Sequence, residues 1–238
     1  MKKLKFPKPS RKFFKSKRFL ISIALVAVVV VGVVLGTSIA RDRSLFTAAL
    51  NNLAEARHYM KHAESDTLRV QFFSGMREEP FAMDGRAGRL VPFAIINVDP
   101  KDNSLRNLTQ IDGHVRIGTE QISISLAKNP YDRNFAMDLA RAVEEGTDIS
   151  ITLFITSTDH PTFNLTNAME AGSVDWKTAL QAATGLLGDR LPRSGFEVYV
   201  RIVNDQASDT GAFWYVQFIT SAGQTFFAVV APDGAVLG

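Results

Sequence analysis

The chain of 238 residues contains no cysteine. This absence excludes disulfide bonds, thiolate metal sites, a cysteine nucleophile and a lipid-modified cysteine. The sequence also lacks a glycine-rich phosphate loop, a CxxC pair and the HExxH motif of zinc peptidases. We therefore predict no catalytic residue, no cofactor or cofactor-binding residue and no metal-binding residue, and the sequence favours a protein that is not an enzyme.

Acidic residues are missing from the first 41 positions, although the chain has 24 of them. Residues 1–18 carry nine of the 27 lysines and arginines and form a basic tail. The rest of the chain has 18 basic and 24 acidic residues, so it is mildly acidic. A basic isoelectric point would suggest a nucleic-acid partner, but here the positive charge is confined to the tail, and we predict no nucleic-acid binding.

Charged residues are also absent from residues 19–40, and this apolar run predicts a transmembrane helix. As a helix the run would extend about 33 Å, and the hydrocarbon core of a bilayer is about 30 Å thick. The basic residues before it predict a cytoplasmic N-terminus. We therefore predict a single-pass protein of the cell membrane that contacts the lipid bilayer through residues 19–40 and carries an extracytoplasmic C-terminal domain.

A cleaved signal peptide is the alternative interpretation of the same run. Ser38-Ile39-Ala40 has the small residues of a signal-peptidase site, which would release a secreted protein after cleavage near Ala40. The apolar region of a signal peptide is about 7–15 residues long, and the run here is longer. This length favours the retained anchor, although the sequence leaves cleavage open.

The remaining chain divides into three regions according to the spacing of its apolar residues. Residues 41–66 have helical spacing, with the helix over 44–65, and predict a juxtamembrane helix, or stalk. Residues 67–171 predict an extracytoplasmic α+β region, and residues 172–238 predict a helix followed by a three-stranded antiparallel meander. The predicted fold class is α+β, with a mostly antiparallel sheet and two or three packed helices.

Within the middle region, alternating apolar residues predict strands at 67–75, 88–99, 120–127 and 148–156. Pro92 indicates that the second of these strands has a free edge or a bulge. Asp112-Gly113 predicts the turn of a tight hairpin. Residues 133–146 predict a helix that ends at Gly146.

The C-terminal region resembles a known family in two stretches. Residues 213–218 (FWYVQF) form an aromatic-rich strand, and residues 227–237 (FAVVAPDGAVL) form a strand that runs into a small turn and an apolar pair. Together with the preceding helix they resemble a PepSY-type module over about residues 172–238. The resemblance implies a non-catalytic extracytoplasmic module that modulates peptidases or envelope enzymes, and it supplies no catalytic residue.

The best ligand-like set consists of Glu55, His58, His62 and Asp66, which share one face of the predicted helix. Two histidines at this spacing can bind a divalent metal, but a single helix rarely completes a tetrahedral site. A solvated helix face with polar i,i+4 pairs is the favoured explanation of the pattern. We predict no metal there, and metal binding by His58 and His62 is left open.

Apolar residues occupy both faces of the last two predicted strands, 212–220 and 224–232. Layered domains usually cover both faces of such a sheet, here with a helix on one side and a second sheet or the stalk on the other. The alternative is an aromatic face that is left open for a partner.

These observations favour a membrane-anchored binding or regulatory module of the cell envelope, with another envelope protein as its partner. One alternative is an envelope hydrolase whose acidic residues come together only in the fold. Another is a membrane component of a secretion or conjugation assembly. Neither the partner nor the oligomeric state follows from the sequence.

Overall fold

The structure, a computed structural model, describes residues 44–237 apart from 104, 106, 131, 189, 193 and 205–210. Strands contain 51% of the described residues and helices 11%. The elements in chain order are α1 (residues 44–51), β1 (Leu53–Glu64), β2 (Leu68–Glu79), β3 (Arg89–Pro100), β4 (Gln110–Ile117), β5 (Glu120–Lys128), β6 (Phe135–Leu139), β7 (Ile149–Phe154), β8 (Thr162–Asn164), β9 (Thr166–Asn167), α2 (Trp176–Leu187), β10 (Phe196–Asn204), β11 (Ala212–Thr220) and β12 (Thr225–Val230).

All twelve strands belong to one mixed sheet with the order β12-β11-β10-β1-β2-β3-β6-β5-β4-β7-β8. β1 lies between β2, to which it is antiparallel, and β10, to which it is parallel. The far end of β1 also pairs with β9, which only Leu165 separates from β8. The path from β1 through β8 therefore returns to β1, and these strands form a closed ring.

The inside of the ring is filled by the apolar residues that alternate along its strands. Each strand contributes residues at every second position, because successive side chains point to opposite faces. The fully buried members include Val70, Phe72, Ile96, Leu126, Phe135 and Ile151. Polar groups lie at one end, where buried Lys61 donates to the carbonyl of Thr147 at 2.7 Å.

The second part of the fold consists of β10, β11 and β12 with the two helices. α2 packs Ala179, Leu180 and Ala183 on one face of these strands and forms a separate apolar cluster with them. The helix begins after Asp175, whose side chain accepts a hydrogen bond from the backbone N of Thr178 at 2.8 Å. This is an N-cap, which satisfies a backbone donor that the first turn leaves unpaired.

The predicted helical stalk over residues 41–66 is wrong. Only residues 44–51 are helical among the described part of that region, and β1 replaces the rest of the predicted helix. β1 is rich in Ala, Glu, Met and Lys, which favour helices, but its pairing with β2 overrides that propensity. A register shift between Arg57 and Tyr59 also hides the two-residue alternation of the strand.

The predicted helix at 133–146 is also wrong, because β6 lies there. Phe135 and Leu139 are four residues apart, a spacing that fits one face of a helix and one face of a strand alike. Met137 packs against the same cluster as both of them, which is the two-residue period of a strand. With 51% strand and two short helices among the described residues, the fold class is mostly β and not α+β.

The predicted turn at Asp112-Gly113 lies in the middle of β4 instead. Gly113 faces Leu153 of β7, and a Cβ atom at this position would collide with the carbonyl oxygen of Thr152. The glycine thus permits close approach of two backbones, not a reversal of the chain. The turn that joins β4 to β5 uses Gly118, whose φ is +59°.

None of the helices in the described ranges has the length and apolar character needed to cross a membrane. The predicted tail (1–18), transmembrane helix (19–40) and cleavage site near Ala40 lie outside the described residues. The prediction of a single-pass membrane protein, with a cytoplasmic tail and an extracytoplasmic domain, is corrected by this finding.

Candidate binding face

The two faces of β10, β11 and β12 have different surroundings. Cross-strand partners share a face, so the pairing of Val200 with Val216 and of Ile202 with Trp214 defines one face. That face is buried under α2. The opposite face carries Tyr199, Arg201 and the residues that pair with them, and no helix among the described residues covers it.

A loop covers part of this second face. Residues 80–88, which join β2 to β3 and are called the covering loop below, lie over Tyr199. The Tyr199 hydroxyl donates to the carbonyl of Ala82 at 3.2 Å, and the Phe81 ring meets the Tyr199 ring edge-on at 6.0 Å. The loop also approaches the backbone of Ser221 at Gly85, whose φ is +80°.

The rest of the second face is uncovered by the described residues. The rings of Tyr215 and Phe227 stack there at 5.7 Å between centroids. Leu237 extends the face beyond β12, because its backbone N donates to the carbonyl of Val229 at 2.8 Å. We call this surface the open face, and it consists of Val203, Phe213, Tyr215, Phe227, Val229 and Leu237.

The exposed apolar side chains of the described residues concentrate at this surface. Seven large apolar residues of the described ranges are exposed, and three of them, Val203, Phe227 and Leu237, belong to the open face. Two more, Phe81 and Met83, belong to the covering loop beside it. The remaining two, Leu186 and Val236, lie elsewhere. A concentration of this kind marks an interaction site more often than scattered single residues do.

A buried ion cluster borders the open face. The Glu55 carboxylate accepts from Nε of Arg57 at 2.7 Å and from Nε and Nη2 of Arg201 at 3.1 and 2.8 Å. Burial alone would raise the pKa of Glu55, but the Arg57 charge and the hydrogen bonds and charge of Arg201 outweigh it and lower the pKa below 4.5. Glu55 is therefore ionised at neutral pH.

The guanidinium groups of this cluster rest on aromatic rings. Arg57 lies 4.3 Å from the centroid of Phe73, and Arg201 lies 4.8 Å from that of Tyr199. Such stacking fixes the plane of a guanidinium and adds cation–π attraction. Because Arg201 pairs with Tyr215 across β10 and β11, the ion cluster and the aromatic stack of the open face are direct neighbours.

Two carboxyl groups lie beneath the covering loop. Glu78 accepts hydrogen bonds from the backbone N of Ala82 and Gly88, at 3.3 and 2.7 Å. Glu197 is fully buried, and neither of its oxygens has a hydrogen-bond partner among the described residues. Burial raises the pKa of Tyr199 above its ordinary value, and the neighbouring Glu197 and Glu78 raise it further.

The structure separates the ligand-like set predicted on the stalk. His58 stacks on Trp176 with 5.7 Å between ring centroids, whereas Nδ1 of His62 lies 3.4 Å from Nδ2 of Asn204. The Glu55 carboxylate forms ion pairs with Arg57 and Arg201, and Asp66 is an exposed residue between β1 and β2. Within the described ranges, no group of three or more His, Asp or Glu residues is placed to hold a metal ion.

The Glu55–Arg57–Arg201 cluster was not predicted from the sequence. The spacing of Glu55 placed it on a solvated helix face, and Arg201 lies 146 positions further along the chain. One signal was available, since Glu197 and Arg201 interrupt an otherwise apolar strand. Charged residues within such a strand indicate buried ion pairs or polar contacts.

No family model matches this sequence, no curated protein matches it, and no solved structure matches it.

Proposed function

We propose that the protein is a non-catalytic binding module whose open face receives another protein. The observation that carries this proposal is the concentration of exposed apolar side chains at the open face and the covering loop. Stacked aromatic residues in an uncovered, firmly supported sheet are effective anchors for a protein partner. The partner presents apolar side chains to Tyr215 and Phe227.

The support beneath the open face strengthens the proposal. The opposite side of the same strands is packed under α2, with Trp214, Val216 and Phe218 buried. The open face is therefore held by a rigid layer, and little ordering of the sheet is needed when a partner binds. The PepSY-type resemblance, which implies a modulating role, agrees with a module that binds without catalysis.

Photo-crosslinking tests the proposed binding. A benzoylphenylalanine residue replaces Phe227 in cells that make the protein, and a control protein carries it in place of Leu186. Both side chains are 53% exposed, but Leu186 lies on α2. We expect irradiation to produce a discrete crosslinked species from position 227 and none from position 186.

A second substitution makes the crosslink specific. Tyr215→Ser removes the ring that stacks on residue 227 and should reduce the yield of the crosslinked species about tenfold, the loss typical of an interface anchor. Equal crosslinking from positions 186 and 227, or a yield that Tyr215→Ser leaves unchanged, would contradict a binding site on the open face.

A further inference from the structure

The Arg57 guanidinium is held in place by contacts that leave two of its nitrogen atoms without a hydrogen bond among the described residues. Its Nε donates to Oε1 of Glu55 at 2.7 Å, and its plane rests on Phe73. Its two terminal nitrogens, Nη1 and Nη2, have no hydrogen-bond partner among the described residues, and the side chain is 20% exposed. An arginine held in this way presents a preformed pair of donors.

The Glu55 carboxylate does not occupy those donors. Oε1 accepts from both Arg57 and Arg201, and Oε2 accepts from Nη2 of Arg201. One carboxylate therefore serves two guanidinium groups, and the pair retains one positive charge. The next guanidinium along the sheet, Arg77, has its own partner in Asp138 at 2.8 Å.

Glu55 and Arg201 connect Arg57 to the apolar surface. Arg201 joins Glu55 to Tyr215, with which it pairs across β10 and β11. A ligand that covers Tyr215 and Phe227 therefore meets the Arg57–Arg201 pair at the edge of the open face. An oxyanion suits this position, because planar carboxylates match the donor geometry of a guanidinium.

We propose that Arg57 is a carboxylate-binding residue of the open face, and that the partner presents an aspartate or glutamate side chain next to its apolar residues. This proposal rests on the proposed function, because it names the chemistry of the same partner. A side-chain carboxylate fits better than a phosphate group, because its single negative charge balances the one positive charge that Glu55, Arg57 and Arg201 retain, whereas a phosphate group carries more.

The test uses two synthetic peptides of about 15 residues, which are longer than the nine residues of β10 or β11 and can cover the face along a strand. One peptide alternates leucine with aspartate, and the other alternates leucine with asparagine. Fluorescence anisotropy of the labelled peptides measures their affinity for the wild-type protein and its variants. We expect the aspartate peptide to bind about tenfold more tightly than the asparagine peptide, as one charge-assisted contact provides.

Variants assign the preference to Arg57. Arg57→Gln should abolish the preference for aspartate, and Arg57→Lys should reduce it, because lysine keeps the charge but lacks the paired donors. Arg141→Gln is the matched control, since Arg141 forms an exposed pair with Glu120 away from the open face. Circular dichroism checks that each variant is folded. If Arg57→Gln does not fold, Arg57→Lys still tests whether Arg57 causes the preference.

Each outcome either supports the carboxylate site or overturns it. Equal affinity for both peptides in the wild type, or a preference that survives Arg57→Gln, overturns the carboxylate site. If crosslinking from position 227 persists in that case, the proposed function still holds. Failure of both peptides to bind overturns the site as well. Inorganic phosphate that displaces the aspartate peptide as effectively as acetate does would show a general oxyanion site and overturn the assignment to a side-chain carboxylate.

Discussion

The closed ring and the β10–β12 part of the sheet are both built from alternating strands, but they cover their apolar faces in different ways. In the ring, the pairing of β1 with β9 joins the two ends of the strand path, and the apolar faces meet on the inside. In β10–β12, α2 covers one face, and the described residues cover the other only in part. A sheet that closes on itself buries its apolar face inside the ring, whereas the open three-stranded part needs a helix or a partner to cover each of its faces.

β1 belongs to both parts and explains why they form one sheet. One of its edges pairs with β2 along most of its length, and the other edge is shared between β10 and β9. The Glu55 cluster lies where the strand leaves β10. The ion cluster is thus a junction between the two parts, and substitutions there should affect both.

The largest effect is expected from the interior of the ring. Phe72→Ala removes a fully buried ring from the closed core and should lower the free energy of unfolding by about 3–5 kcal/mol, through lost burial and the remaining cavity. Urea denaturation measures the change. Phe227→Ala is the control and should stay within about 0.5 kcal/mol, because its side chain is exposed. Equal losses would contradict the distinction between the two parts.

The junction should give the next largest effect. Glu55→Gln leaves two guanidinium groups without their shared carboxylate and should cost about 3 kcal/mol of unfolding free energy. Glu120→Gln breaks the exposed pair with Arg141 and should cost less than about 1 kcal/mol. A loss from Glu55→Gln as small as that of the control would mean that the cluster does not join the two parts.

The same carboxylate makes stability depend on pH. The pKa of Glu55 is lower in the folded protein than its ordinary value of 4.5. Its contribution to stability is therefore fully present above that value and is lost as the pH falls through the folded pKa. Denaturation at several pH values below 4.5 should show a shallower decline for Glu55→Gln than for the wild type. Parallel declines would contradict the lowered pKa.

The smallest effect is expected at α2. Asp175→Ala removes the N-cap and should cost about 1 kcal/mol. Asp66→Ala, at an exposed position whose side chain has no hydrogen bond within the described ranges, should stay within about 0.5 kcal/mol. Amide hydrogen exchange shows where the stability is lost. Protection of the backbone amides should fall in α2 and remain unchanged in β4 and β5. A uniform loss of protection would show that the two parts open together.

The sequence predicted the C-terminal strands well because their apolar residues alternate without interruption. Pro92 was also interpreted correctly, since β6 pairs only with residues 94–98 of β3 and leaves that edge free at the proline. β1 was mistaken for a helix because its bulge at His58 breaks the alternation. The deciding information there is the pairing with β2, which no local pattern contains.

The candidate site was predictable only in part. The alternation of residues 212–232 separates Tyr215 and Phe227 from Trp214 and Ala228, so an open aromatic face was foreseen as one of two outcomes. The covering loop and the Glu55–Arg57–Arg201 cluster were not foreseen. Both depend on contacts between distant segments, such as Tyr199 with Ala82, that become neighbours only in the folded sheet.

The parallel pairing of β1 with β10 also constrains how the chain is made. During synthesis β1 emerges early, yet its partner residues Val198, Tyr199 and Val200 follow about 145 positions later. Until then one edge of the strand lacks its final neighbour, and a bare edge invites association with other chains. Contacts this distant in sequence also slow folding. A ribosome that stalls before Phe196 would therefore release a product prone to aggregate.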